Sequence, residues 1–79
     1  MEIKVLGTGC PNCKKTKAVV AEAVQELHVD ADIVEVTDIV DIMAFGVIST
    51  PAIVIDGEVV RSGGVPKKQQ VIQLIQAAA

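Results

Sequence analysis

The chain has two cysteines, which stand three positions apart in Cys10-Pro11-Asn12-Cys13. Thiols at this spacing can form a structural disulfide, lie unreactive in a core, bind a soft metal or act as a redox dithiol. A disulfide across so short a ring removes little entropy from the unfolded chain and persists poorly in a reducing cytosol. Buried unreactive cysteines are small hydrophobic residues without chemistry. The metal site and the redox dithiol are therefore the two functional alternatives.

A redox dithiol needs one cysteine with a depressed pKa, because the thiolate is the nucleophile. The sequence predicts Cys10 at the N-cap of a helix, facing unpaired N–H groups and the positive end of the helix dipole. A dipole contribution of about 1–2 kcal/mol lowers the thiol pKa by about one unit from about 8.5. We expect Lys14 or Lys15 to lower it further. Cys13 falls on the core face of the first turn, which suits it to resolve a mixed disulfide.

Hydrophobic periodicity predicts the elements that position this pair. Residues 2–6 alternate like a strand, and Pro11 to about Leu27 repeat their apolar residues at helical spacing. The other predicted elements are a strand at 31–36, a short helix capped by Thr37 or Asp38 and ending near Phe45, strands at 52–55 and 58–60 joined by an Asp56-Gly57 turn, and a helix opened by Pro66 and running to Ala79. The predicted order is β-α-β-α-β-β-α.

This order predicts an α/β fold in a single domain covering residues 1–79. The first half is a βαβ unit, which makes its two strands parallel with a right-handed crossover. The second half is a hairpin followed by a covering helix. We therefore expect a four-stranded mixed sheet with helices on both faces, and the apolar run at 52–55 fits a strand buried on both sides.

Thr50-Pro51 directly precedes that apolar strand. A proline inside a central strand would delete a ladder hydrogen bond, so Pro51 belongs at the start of the strand. Taken alone, an X–Pro bond is far more often trans, since about 5–6% of such bonds in folded proteins are cis.

Together these motifs resemble the thioredoxin superfamily, and most closely its small thioredoxin-like or glutaredoxin-like redox-active disulfide proteins of archaea and bacteria. The resemblance rests on Cys10-Pro11-Asn12-Cys13 after the first strand, the segment from Phe45 to Thr50-Pro51 before the third, and Gly63-Gly64 before the last helix. A CxxC pair beside a βαβ pattern is typical of a thioredoxin-like motif. The resemblance covers nearly the whole chain and implies a minimal thioredoxin fold.

The resemblance also implies an activity, that of a thiol–disulfide oxidoreductase acting as a protein disulfide reductase or dithiol electron carrier. Cys10 would attack and Cys13 would resolve, with a reversible Cys10–Cys13 disulfide and no other cofactor. Pro51 would be cis and pack against the cysteines, while the Thr50 backbone would pair with a substrate peptide. The residues expected to shape the site are Pro11, Asn12, Gly63 and Gly64.

Partners follow from the same resemblance and from its departures. We expect disulfide-bearing protein substrates and an electron donor like thioredoxin reductase. Glutathione is disfavoured, because Gly63-Gly64 leads to Val65-Pro66 where glutaredoxins place a polar capping residue. Thioredoxins proper also carry Trp before the first cysteine, whereas this chain has Gly9.

The rival hypothesis is a soft-metal carrier that binds Cu(I) or Zn(II) through the same two thiolates. Heavy-metal-associated domains usually place Met two residues before the first cysteine, where this chain has Thr8, and they end on a strand. His28 lies too far along the first helix to complete a zinc site. The redox hypothesis is therefore preferred, and no metal ligand set is assigned.

Composition limits the other possibilities. Apolar residues make up 51% of the chain, which excludes disorder, and the net charge of −3 disfavours nucleic-acid binding. No run of eighteen apolar residues predicts a membrane span, and the expected location is the cytoplasm. Charge is unevenly distributed, because four lysines fall in the first quarter and every charged residue from Glu22 to Glu58 is acidic apart from His28. Such runs are either solvated faces or parts of a site.

Overall fold

The computed structural model describes residues 1–78, and its order of elements is the predicted one. In chain order they are β1 (Glu2–Leu6), α1 (Pro11–Leu27), β2 (Asp32–Val36), α2 (Ile39–Ala44), β3 (Ala52–Ile55), β4 (Glu58–Ser62) and α3 (Lys68–Ala78). The α/β fold class is confirmed, with four strands in one mixed sheet and three helices.

The strands lie in the order β2-β1-β3-β4, with β1 parallel to β2 and antiparallel to β3. Leu6 pairs with Ala52, and Ala52 pairs with Ser62. The loop after β1, the loop before β3 and the loop after β4 therefore all meet the sheet at the same end. We call this the redox end, because the cysteine loop follows β1.

Helices cover both faces of the sheet, and successive strand residues point to opposite faces. Ile3 and Val5 of β1 pack with α1 and α3 in one cluster, whereas Leu6 packs with Ile42 of α2 in the other. All four residues of β3 are buried, as expected for a strand covered on both faces.

Local sequence signals place most helix ends. Pro11 is the first residue of α1, where its missing N–H is not needed, and His28 ends the helix in a left-handed conformation at φ 54°. Asp38 caps α2, since its Oδ1 accepts a hydrogen bond from the Val40 N–H at 2.9 Å. Asp56 and Gly57 both have positive φ, as a two-residue hairpin turn requires.

Two predicted boundaries are wrong by two residues, and β2 begins at Asp32, one residue later than predicted. The last helix begins at Lys68 instead of Pro66. The Lys67 N–H donates to the Gln70 Oε1 at 3.0 Å, so Lys67 is the residue that directly precedes the first helical turn. Pro66 is buried in the preceding connection. Strand β4 continues past Val60 to Ser62 because its last residues still pair with β3. Ala79, which was predicted helical, lies outside the described residues.

No helix within residues 1–78 is both long enough and apolar enough to cross a membrane.

Candidate redox site

Cys10 occupies the N-cap of α1 with an extended backbone at φ −67° and ψ 161°. Its carbonyl accepts hydrogen bonds from the N–H groups of Cys13 at 3.0 Å and Lys14 at 3.2 Å. The Cys13 N–H also points to the Cys10 Sγ at 3.3 Å. The sulfur of Cys10 therefore lies at the positive end of a 17-residue helix, against an amide that can donate to a thiolate.

The two sulfurs differ in accessibility. Cys10 and Cys13 are joined by a disulfide, with their Cα atoms 5.1 Å apart. Cys13 is only 5% exposed and faces the core, whereas Cys10 is partly exposed. A molecule approaching from solvent therefore reaches the sulfur of Cys10 first.

Gly7 lies against Cys13 on the inner side of the site. A Cβ atom at residue 7 would overlap the Cys13 Sγ and lie 2.9 Å from the Cys13 Cβ. The Gly7 N–H donates to the Val36 carbonyl at 2.9 Å, which holds this backbone in place at the end of β1. Only glycine leaves room for the second cysteine here.

The Thr50–Pro51 peptide bond is cis, as the family resemblance implied. Pro51 is buried, and its carbonyl accepts a hydrogen bond from the Gly63 N–H at 2.8 Å. Gly63, at φ 79°, also lies close to Ser49, since a Cβ there would be 3.3 Å from the Ser49 Cβ. The proline and diglycine motifs therefore form one unit at the redox end.

Thr50 is exposed beside this unit. Among residues 1–78, neither its N–H nor its carbonyl takes part in a backbone hydrogen bond outside the regular elements. This backbone lies directly before the cis-proline, at the redox end.

The remaining predicted site residues lie at the redox end with fewer contacts. Pro11, Asn12, Lys14 and Lys15 are exposed on the first turn of α1. Neither lysine belongs to an ion pair within the described part of the chain. Gly64 is exposed at φ 70°, where only glycine is free of strain, and the Arg61 guanidinium lies beside it.

Two residues of this site were not singled out from the sequence. Gly7 directly follows a strand, where a glycine can signal the close approach of another group. Thr16 is buried one turn after Cys13, and its Oγ1 donates to the Asn12 carbonyl at 2.8 Å. This bond ties the residue between the cysteines to the second turn of the helix.

The soft-metal alternative finds no support in the arrangement of side chains. Within residues 1–78, no three His, Cys, Asp or Glu side chains are grouped so that they could share a metal ion. His28 lies at the opposite end of α1, about 25 Å from Cys10 at 1.5 Å per helical residue.

A partly exposed and a buried cysteine, joined at a helix N-terminus beside a cis-proline, define a dithiol–disulfide site of the thioredoxin type. The family model described as "Thioredoxin domain" matches residues 1–76. A protein of Methanocaldococcus jannaschii named "Thioredoxin" is 41% identical over 69 residues, which cover 87% of this chain and 79% of that protein. Another of the same name from Methanothermobacter thermautotrophicus is 32% identical over 75 residues, covering 95% and 97%. The chain belongs to the thioredoxin family and is a thiol–disulfide oxidoreductase.

Proposed function

We propose that the protein reduces disulfide bonds of other proteins in two exchange steps. The Cys10 thiolate attacks one sulfur of the substrate disulfide, forms a mixed disulfide and releases the other substrate sulfur as a thiolate. Cys13 then loses its proton and attacks the Cys10 sulfur, which releases the second substrate thiolate and closes the Cys10–Cys13 disulfide. Two electrons pass from the dithiol to the substrate, whose thiolates take up two protons.

The division of roles rests on the difference in exposure between the two sulfurs. Cys10 is at the N-cap and partly exposed, so its thiolate is both stabilised and reachable. Cys13 is 5% exposed, so a large substrate cannot reach it directly, but the bound Cys10 sulfur can. Attack by Cys13 is then intramolecular and fast compared with a second encounter.

The Thr50 backbone supplies the docking edge for the substrate in this proposal. Its free N–H and carbonyl would pair with an extended segment of the substrate next to the disulfide. Gly63 and Gly64 leave the neighbouring surface without side chains, and Pro51 is held against them by the Gly63 hydrogen bond. Pro11 and Asn12 would border the same segment from the α1 side.

The oxidised protein must be returned to the dithiol. We assign this step to a reductase like thioredoxin reductase and not to glutathione. Support comes from the family and from Val65-Pro66, which follow the two glycines and offer a glutathione carboxylate no polar side chain.

The test is reduction of insulin disulfides with dithiothreitol as the electron source, comparing the wild type with single-cysteine variants. Cys10→Ser should abolish catalysed reduction. Cys13→Ser should stop after the first step and accumulate a mixed disulfide through Cys10, visible by non-reducing electrophoresis. Catalysis by the Cys10→Ser protein would overturn the assignment.

A further inference from the structure

The outer surface of α2 carries apolar side chains that the redox chemistry does not use. Ile39, Val40 and Met43 are 55%, 69% and 67% exposed. Residues three or four apart are neighbours on a helix, so Met43 lies beside both of the others. We call these three residues the α2 apolar surface. Ile48, further along the chain and two residues before Thr50, is fully exposed.

This surface lies at the redox end of the molecule. On its inner side α2 buries Ile42, which packs with Leu6 and Ala52. Leu6 is the last residue of β1 before the cysteine loop, and Ala52 directly follows Pro51. The α2 apolar surface therefore lies at the same end of the sheet as Cys10, on the face opposite α1.

Negative charge borders the α2 apolar surface. Asp38 and Asp41 are exposed, and neither belongs to an ion pair within residues 1–78. Lys4 lies 5.3 Å from the centre of the Phe45 ring and is paired with Glu2 at 3.5 Å. Asp38 already caps α2, so the Asp41 carboxylate is the one that favours a partner with positive charge.

The size of the surface argues against a stable dimer. The six residues of α2 make a helix about 9 Å long. One face of so short a helix is much smaller than the roughly 1,200 Å² that a stable interface buries. A symmetric contact would also bring the Asp38 and Asp41 carboxylates of both copies into one small patch, and like charges repel. Small interfaces are instead typical of transient redox encounters.

We propose that the α2 apolar surface, together with Asp41, selects substrate proteins that carry apolar and basic residues next to their disulfide. The inference rests on the proposed disulfide reductase activity and adds the class of substrate. The apolar side chains of the substrate would cover Val40 and Met43, and a basic side chain would lie near Asp41.

Three cyclic peptides with the same disulfide ring test this inference, each with a different six-residue tail. One tail combines Leu with Lys, one Leu with Glu and one Ser with Lys. Reduced protein is mixed with each peptide, quenched in acid and analysed by chromatography for the rate of disulfide exchange. We expect the Leu/Lys peptide to react about fivefold faster than either of the others.

Variants separate the two contributions. Val40→Thr with Met43→Gln should remove the advantage of Leu over Ser, and Asp41→Asn should remove most of the advantage of Lys over Glu. Glu58→Gln is the matched charge control, because it changes net charge equally but lies beside the hairpin turn at the opposite end of the sheet. It should keep both preferences. All variants should react like the wild type with the small neutral compound bis(2-hydroxyethyl) disulfide.

Equal rates for the three peptides, or a fastest Leu/Glu peptide, would overturn the inference while leaving the proposed function intact. Unchanged peptide preferences in the α2 variants would also overturn the inference. So would α2 variants whose only defect is slower reduction of their own Cys10–Cys13 disulfide by a flavin-dependent reductase. A wild type that reacts with no disulfide at all, including the small one, would remove the proposed function itself.

Discussion

Gly7 and Cys13 are packed so closely that a methyl group on residue 7 would overlap the Cys13 sulfur. The backbone just after β1 therefore packs against Cys13. The Cys13 sulfur can lie there because residue 7 has no side chain. The contact joins the central strand of the sheet to the redox pair and leads to the first prediction.

Gly7→Ala should lower the free energy of unfolding by about 1–3 kcal/mol, because overpacking a well-filled site forces its neighbours to shift. It should also slow closure of the Cys10–Cys13 disulfide, since Cys13 must move away from its position. Chemical denaturation of the reduced protein and the decay of a preformed mixed disulfide measure the two effects. In a Cys13→Ala background the penalty of Gly7→Ala should shrink, and an unchanged penalty would show that the two residues are not coupled.

Cys10 should have a thiol pKa below that of free cysteine. The helix N-terminus and the Cys13 N–H stabilise its thiolate. The alkylation rate of the Cys13→Ser protein as a function of pH measures the pKa of Cys10, and the Cys10→Ser protein serves for comparison. Faster alkylation of Cys13 at neutral pH would reverse the proposed roles.

Gly63→Ala should raise the KM for peptide disulfides and lower stability by about 1–2 kcal/mol. The stability loss follows from placing a side chain at φ 79°, and the KM effect from pushing Ser49 away next to Thr50. Gly64→Ala is the comparison variant: its φ of 70° carries a similar cost and it borders the same surface, but the added methyl group would meet only the end of the Arg61 side chain at 4.0 Å, so its KM should rise less. Equal KM values for the two variants would contradict the role of the Ser49 contact.

Lys68 should contribute a small stabilisation that disappears at high pH. A hydrogen bond and the charge of Glu26, whose Oε2 lies 2.9 Å from the Lys68 Nζ, raise the pKa of Lys68 above 10.5. A raised pKa in the folded state means that stability is fully present below about pH 10 and is lost as the pH rises through the folded value. The difference in unfolding free energy between wild type and Lys68→Gln should therefore be constant near neutral pH and fall above pH 10.5. A difference that grows with pH would exclude this ion pair as its source.

Local sequence was sufficient for the elements and for the position of Cys10. Alternation in residues 2–6 and helical spacing from Pro11 to Leu27 depend on neighbours along the chain, and both predictions are confirmed at the residue level. The N-cap position of Cys10 follows from Pro11, because a proline favours the first turn of a helix. The Asp56-Gly57 turn was also predictable from local sequence, because this pair favours the positive φ angles of a two-residue hairpin turn.

Contacts between distant parts of the chain decided the rest. The burial of Cys13 behind Gly7 depends on where α1 lies against β1. The hydrogen bond from Gly63 to Pro51 exists because β3 and β4 pair in one particular register. Periodicity states which residues of α2 share a face, but only the packing of Ile42 against the sheet leaves Val40 and Met43 exposed. The residue pattern of one segment does not show how distant segments pack against it. The burial of Cys13, the Gly63–Pro51 hydrogen bond and the exposure of Val40 and Met43 are therefore decided by the tertiary structure.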